Sequence, residues 1–180
     1  MRNLVAACAL MASPALATGI EITVAGEATG VIKIDLLEDV APLHAERIAK
    51  LAADGAYDGV AFHRVIEGFM AQTGDVRCAI SGADCPAGTG GSDQPDLPAE
   101  FSDVPYDRGV VGMARSQNPD SANSQFFIMF DEGYFLNGQY TVVGRVTEGM
   151  DVVDAIKRGA GGNGAVVGTP DIMQTVVATP

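Results

Sequence analysis

Basic residues are scarce in this 180-residue chain. Eleven Lys and Arg stand against 23 Asp and Glu, a formal net charge of −12. No stretch gathers Lys and Arg into a patch, which argues against nucleic-acid binding and against docking on anionic lipid. Only two histidines and three cysteines are present, and the histidines, His44 and His63, lie away from the cysteines in sequence. That distribution gives little support to a thiol catalyst or a Cys/His metal site. Beyond the N-terminus no run is long and apolar enough to span a bilayer. There is no internal repeat and no linker-like segment, so the chain reads as one domain with a sizeable core.

The N-terminus reads as an export leader. Arg2 supplies the positive end, Leu4–Ala12 forms a short apolar region, and Pro14–Ala17 ends in an A-x-A pattern. Cleavage after Ala17 is expected, leaving residues 18–180 as the domain and a periplasmic destination. Cys78 and Cys85 remain beyond that point. In an exported chain an even, closely spaced pair favours a disulfide over two free thiols.

Apolar and polar residues alternate over Ile20–Val24 and Val31–Leu37, predicting a hairpin. The period then becomes helical from Pro42 to Asp54, through Leu43, Arg47, Ile48, Leu51 and Ala52, with Gly55 as the stop. His44 is read as a surface or capping residue. Residues 75–101 form a long excursion rich in Gly, Pro, Asp and Ser, of the kind that is functional or stapled. Within it Gly88–Gly91 lacks the lysine and the following helix of a phosphate loop. Further strands are predicted at Gly109–Ala114, Gln125–Phe130, Tyr140–Val146 and Ile172–Ala178, and a second helix at Glu148–Arg158. The tally is a mainly β domain, an eight-stranded antiparallel closed barrel with two helical caps.

The most informative stretch is Ala61–Asp75, AFHRVIEGFMAQTGD, two short apolar runs joined at Glu67-Gly68. Strand alternation puts Phe62, Arg64 and Ile66 on one face and His63 and Val65 on the other. His63 is read as a buried histidine satisfied by backbone. A cation among large apolar residues needs an acceptor or a ligand, unless it is a surface arginine whose stem covers a core edge. This stretch alone favours the surface arginine.

Several blocks together change that reading. Phe62–Ile66 with Gly68–Gln72, then Gly112–Arg115, Ser124–Ile128, Phe135-Leu136, Val143–Val146 and Glu148–Asp151 resemble cyclophilin-type peptidyl-prolyl cis-trans isomerases, in order and across the whole domain. The resemblance implies an eight-stranded barrel closed by two helices, with a groove on its outer face. It implies that Arg64 is catalytic, that Gln72 and Gln125 orient it or the substrate, and that Phe69, Met70, Phe127 and Leu136 line a proline pocket. Ala114 and Arg115 would hold peptide through main-chain groups. Phe135 stands where many eukaryotic members carry tryptophan, and Tyr140 where some carry histidine; both are counted with the substrate-binding set. The implied partners are proline-containing polypeptides bound by a monomer, with no cofactor and no metal. A binding module of the same fold and a small-ligand barrel are the competing readings; the intact Arg64, Gln72, Phe127 and Gln125 favour the enzyme.

Overall fold

A computed structural model describes residues 19–180. The expected leader, residues 1–17, lies outside the described residues.

The two alternating runs form β1 (Gly19–Ala25) and β2 (Gly30–Leu36), antiparallel from Gly19↔Asp35 to Val24↔Gly30. Ile20, Ile22, Val24, Ile32, Ile34 and Leu36 are buried, whereas Glu21, Lys33 and Asp35 between them reach solvent. Helix α1 (Pro42–Ala53) starts on a proline, whose missing N–H costs nothing in a first turn. It buries Ala45, Ile48, Leu51 and Ala52. Leu43, counted on its apolar face, is 45% exposed. Arg47 on that face is buried, and its guanidinium donates to the carbonyls of Pro95 and Asn123. His44 is fully buried rather than at the surface, with Nδ1 2.7 Å from Glu100 Oε2.

The remaining elements are β3 (Val60–Ala61), β4 (Arg64–Ile66), β5 (Met70–Thr73), β6 (Val110–Met113), β7 (Phe126–Met129), β8 (Val142–Glu148), α2 (Met150–Ala155) and β9 (Ile172–Thr179). Tyr134–Leu136 makes a single 3-10 turn. Helix α2 is shorter than its sequence pattern suggests: β8 runs on through Glu148 at one end, and at the other Ile156 leaves helical geometry (φ −57°, ψ 131°).

The expected closed eight-stranded barrel is not what forms. The strands make one antiparallel nine-stranded sheet, in the order β3-β9-β1-β2-β8-β6-β7-β5-β4. It curls so far that its edges, β3 and β4, are consecutive in the chain and separated only by Phe62-His63. Phe62-His63 forms no hairpin turn: β3 pairs only with β9 and β4 only with β5, so no ladder joins the edges. Single bonds fill the seam instead: Phe62 N–H to Asp171 O, Val65 N–H to Gly164 O, and Val166 N–H to His63 O.

That break also resets the alternation. Phe62 and Val65 both enter the inner core, so Phe62 does not share a face with Arg64. Beyond the break the alternation is regular. Ala71, Phe126 and Ile128 pack inward with α1 and α2, whereas Met70, Phe127 and Met129 pack on the outer face with Tyr106, Val110, Leu136 and Val142. The sheet thus carries a large inner core and a smaller outer one, and the outer one floors a groove.

Candidate active site

Register builds the groove. Arg64 on β4 pairs with Gln72 on β5, Gln72 with Phe127 on β7, and Phe127 with Gly112 on β6. Four residues from four strands therefore form one row across the outer face. The neighbouring row, Val65, Ala71, Ile128 and Val111, faces inward and is buried. Gly112 ends the outer row because nothing larger fits. A Cβ there would lie 2.5 Å from both Phe127 Cζ and Tyr106 Oη.

Arg64, Phe69, Met70, Gln72, Ala114, Arg115, Phe127, Phe135, Leu136 and Tyr140 line one cavity of about 310 Å³. Gln125 lines a polar cavity of about 380 Å³ beside it, which shares Gln72, Ala114 and Arg115. The structure therefore brings together all the residues singled out for catalysis and binding, from segments as far apart as Arg64 and Tyr140.

The apolar part is made of rings at right angles and in stacks. Phe127, 5% exposed, stacks on Tyr106 with centroids 5.8 Å apart, and meets Tyr140 edge-on at 6.0 Å. Phe69 lies 5.4 Å from Phe135, which is 66% exposed and forms the outer lip. Met70 and Leu136 complete the floor. The slot is shallow, apolar and open on one side, with room for a small ring.

The polar edge is a chain of directed hydrogen bonds. Arg64 donates through Nε to the carbonyl of Asn163 at 2.9 Å and through Nη1 to Gln72 Oε1 at 3.1 Å. Gln72 Nε2 donates to Gln125 Oε1 at 2.9 Å. Gln125 Nε2 donates to the carbonyls of Gly88 and Gly90 at 3.1 and 2.8 Å. Arg64 Nη2 makes no hydrogen bond to the described residues. Partial burial lowers the pKa of Arg64 from its ordinary value, but a guanidinium remains charged at neutral pH.

On the far wall Ala114, which lines both cavities, donates its N–H to Gln125 O at 2.9 Å. The Arg115 side chain folds back. Its Nε and Nη2 reach the Gln139 carbonyl and Nη1 reaches Ser116 O, while its guanidinium carbon sits 4.3 Å from the Tyr140 ring centroid. His63, next to Arg64, takes no part in the groove. Neither of its ring nitrogens finds a hydrogen-bond partner, so it is not satisfied by backbone as expected. Burial pushes its pKa down, against the opposing pull of Asp75.

Cys78 and Cys85 are joined, with Cα atoms 5.2 Å apart. Among the described residues no cluster of His, Cys, Asp or Glu could hold a metal ion, and no helix is long and apolar enough to cross a membrane. Sequence reasoning missed Tyr106, Gly112 and Asn163. Gly112 had a readable signal, since a glycine inside a strand marks close approach. Tyr106 and the Asn163 carbonyl had none, because only the fold brings them under Phe127 and beside Arg64.

Residues 20–177 match the family described as cyclophilin type peptidyl-prolyl cis-trans isomerase/CLD. A Brucella suis protein named probable peptidyl-prolyl cis-trans isomerase is 62% identical over 145 residues, covering 79% of this chain and 74% of the relative. An Arabidopsis thaliana peptidyl-prolyl cis-trans isomerase is 38% identical over 141 residues, covering 75% and 81%. Among solved structures, a cyclophilin-type isomerase from Cryptosporidium parvum superposes with a TM-score of 0.77 at 25% identity, over 92% of this chain and 99% of that one. The same protein solved in the presence of the dipeptide Ala-Pro gives 0.74 at 26% identity, over 90% and 99%. A cyclophilin from Hirschia baltica gives 0.72 at 28% identity, over 88% and 73%.

Proposed function

The chain belongs to the cyclophilin-type peptidyl-prolyl cis-trans isomerase family, and from that we propose that it speeds Xaa-Pro rotation in exported polypeptides by aiming Arg64 at the prolyl nitrogen. The observation that carries this reading is the juxtaposition of Arg64, anchored at Nε and Nη1, with an apolar slot walled by Phe69, Met70, Phe127 and Leu136.

The chemistry follows from the amide. Resonance sets a rotation barrier of about 18–20 kcal/mol. As the bond twists, resonance is lost and the prolyl nitrogen gains a lone pair. A guanidinium donor beside it binds the twisted state better than either planar state, which lowers the barrier without any covalent step. The slot holds the pyrrolidine ring, and the carbonyl of Ala114 and the backbone at Arg115 would steady the flanking peptide. Gln72 fixes the arginine, and Gln125 fixes Gln72. The protein needs no nucleophile for this reaction, only a positioned donor and a place for the ring.

Export to the periplasm is supported by the leader-like N-terminal sequence and by the paired Cys78 and Cys85. The reading requires no residue from a second copy, since the donor and the slot both lie in this chain. The test is isomerisation of an Xaa-Pro peptide, whose uncatalysed timescale is ~10–100 s. The native chain should accelerate it, and Arg64→Ala should lose about 100-fold or more with an unchanged circular dichroism spectrum. Full activity in Arg64→Ala would refute the assignment of the donor.

A further inference from the structure

Asp75 is wholly buried just beyond β5, and all four of its partners are backbone N–H groups. Arg77 and Cys78 donate to Oδ1 at 3.2 and 2.8 Å, and Gly88 and Gly90 donate to Oδ2 at 2.7 and 3.0 Å. Burial alone would raise the pKa of this carboxyl, but the four N–H groups outweigh it and hold the group below the usual aspartate value. The cradle is fitted to the carboxylate. A Cβ on Gly90 would lie 2.4 Å from Asp75 Oδ1 and 2.8 Å from the Cys78 sulfur. The disulfide closes the intervening loop, so that Gly88 and Gly90 return to the residue that the loop left behind.

The carbonyls of the same two glycines accept both hydrogens of the Gln125 amide. This fixes the sense of everything beyond. Gln125 must turn its oxygen to Gln72, Gln72 its nitrogen to Gln125, and Gln72 its oxygen to Arg64. A glutamine amide has nearly the same shape either way round, so packing alone does not choose. With the sense reversed, Gln72 would present N–H to a guanidinium that can only donate.

We infer that Asp75 is a positioning residue for the isomerase reaction: by pinning the N–H groups of Gly88 and Gly90 it sets the direction of the Gln125–Gln72 relay and thereby the aim of Arg64. The inference rests on the reading of Arg64 as the donor to the prolyl nitrogen. Asp75 touches no substrate; it acts through two glycine peptides and two glutamines.

The test compares four full-length proteins with the disulfide intact: native, Asp75→Asn, Arg64→Ala and Val153→Ala. Asparagine keeps the shape of Asp75 but turns one acceptor into a donor facing N–H groups. Val153, fully buried in α2, lies in the inner core and serves as a control that lowers stability without touching the relay. All are assayed well below their thermal transitions. Asp75→Asn should lower kcat about tenfold while KM for an Xaa-Pro peptide stays within about twofold, the split expected when an interaction acts in the transition state. The side-chain amide NMR signals of Gln72 and Gln125 should shift or double in Asp75→Asn and stay put in Val153→Ala. Native kcat in Asp75→Asn, a loss matched by Val153→Ala, a loss carried in KM alone, or unmoved glutamine signals would each overturn the inference. Arg64→Ala separates the two levels. If it keeps full activity, the donor assignment fails; if it is inactive while Asp75→Asn is normal, only the role of Asp75 fails.

Discussion

Replacing Cys78 and Cys85 together by alanine should destabilise the fold by about 3 kcal/mol, the sum of two separable effects. The bridge joins residues only seven apart, and closing so short a loop in the unfolded chain is worth roughly 2.5 kcal/mol. The rest is packing. Cys78 is 4% exposed, so losing its sulfur leaves a small void, whereas half-buried Cys85 loses little; this adds on the order of 0.5–1 kcal/mol. For a domain of this size each kcal/mol moves Tm by roughly 2–4 °C, so the double variant should melt about 6–12 °C lower. Calorimetry with and without reductant separates the parts. Reduction keeps the sulfur atoms and removes only the crosslink, so native protein should fall by about 5–10 °C. The double variant should not respond to reductant at all. If native protein, shown by intact mass to be fully reduced, melts where the oxidised protein does, the loop-closure reasoning is wrong.

Phe127→Ala should raise KM for Xaa-Pro peptides and cost about 3 kcal/mol of stability, because the ring is buried against Tyr106 and Tyr140 at the rim of the outer core; native peptide affinity in a stable variant would show that the slot lies elsewhere. Gly112→Ala drives a methyl into Phe127 and Tyr106, so it should cost about 1–3 kcal/mol and weaken peptide binding, whereas calorimetry showing no change would mean that the floor yields freely. Acid should weaken the fold in two steps. His63 is held below its ordinary pKa by burial, so the unfolded chain binds the extra proton first. Stability is full above about pH 6.5 and falls as pH drops from there toward the folded-state value. His63→Phe should remove that step from a plot of Tm against pH. Asp75 is held below the aspartate range, so its contribution is full above about pH 4 and is lost as pH falls through the lower folded-state value; Asp75→Asn should flatten that second step.

Much of the fold was legible because its signals are local. The alternation in β1 and β2 and the change of period at Pro42 each arise within a dozen residues. The disulfide was legible from spacing and the expected destination of the chain. The groove was legible only by resemblance, since Phe69, Met70, Phe127 and Leu136 are by composition ordinary core residues. Closure of the sheet was misread because strand count says nothing about whether the edges meet. The break at Phe62-His63 looks like continuous strand in sequence and is decided by Asp171 and Gly164 arriving from the far end of the chain. His44 was misplaced for a similar reason: Glu100, its partner, lies 56 residues away. Gly88–Gly91 lacks the lysine and the following helix of a phosphate loop, yet the N–H groups of Gly88 and Gly90 do hold an anion, the chain's own Asp75.

The anchoring of Arg64 also bears on the entropy of binding. A free arginine side chain carries about 2 kcal/mol of rotamer freedom. Here Nε is tied to Asn163, 99 residues away, and Nη1 to Gln72. That freedom is surrendered once, when the chain folds, and not again at each turnover. If Arg64 is the donor proposed above, a peptide arriving in the groove would meet a side chain already stilled, and no fresh ordering of that side chain would be needed for each proline.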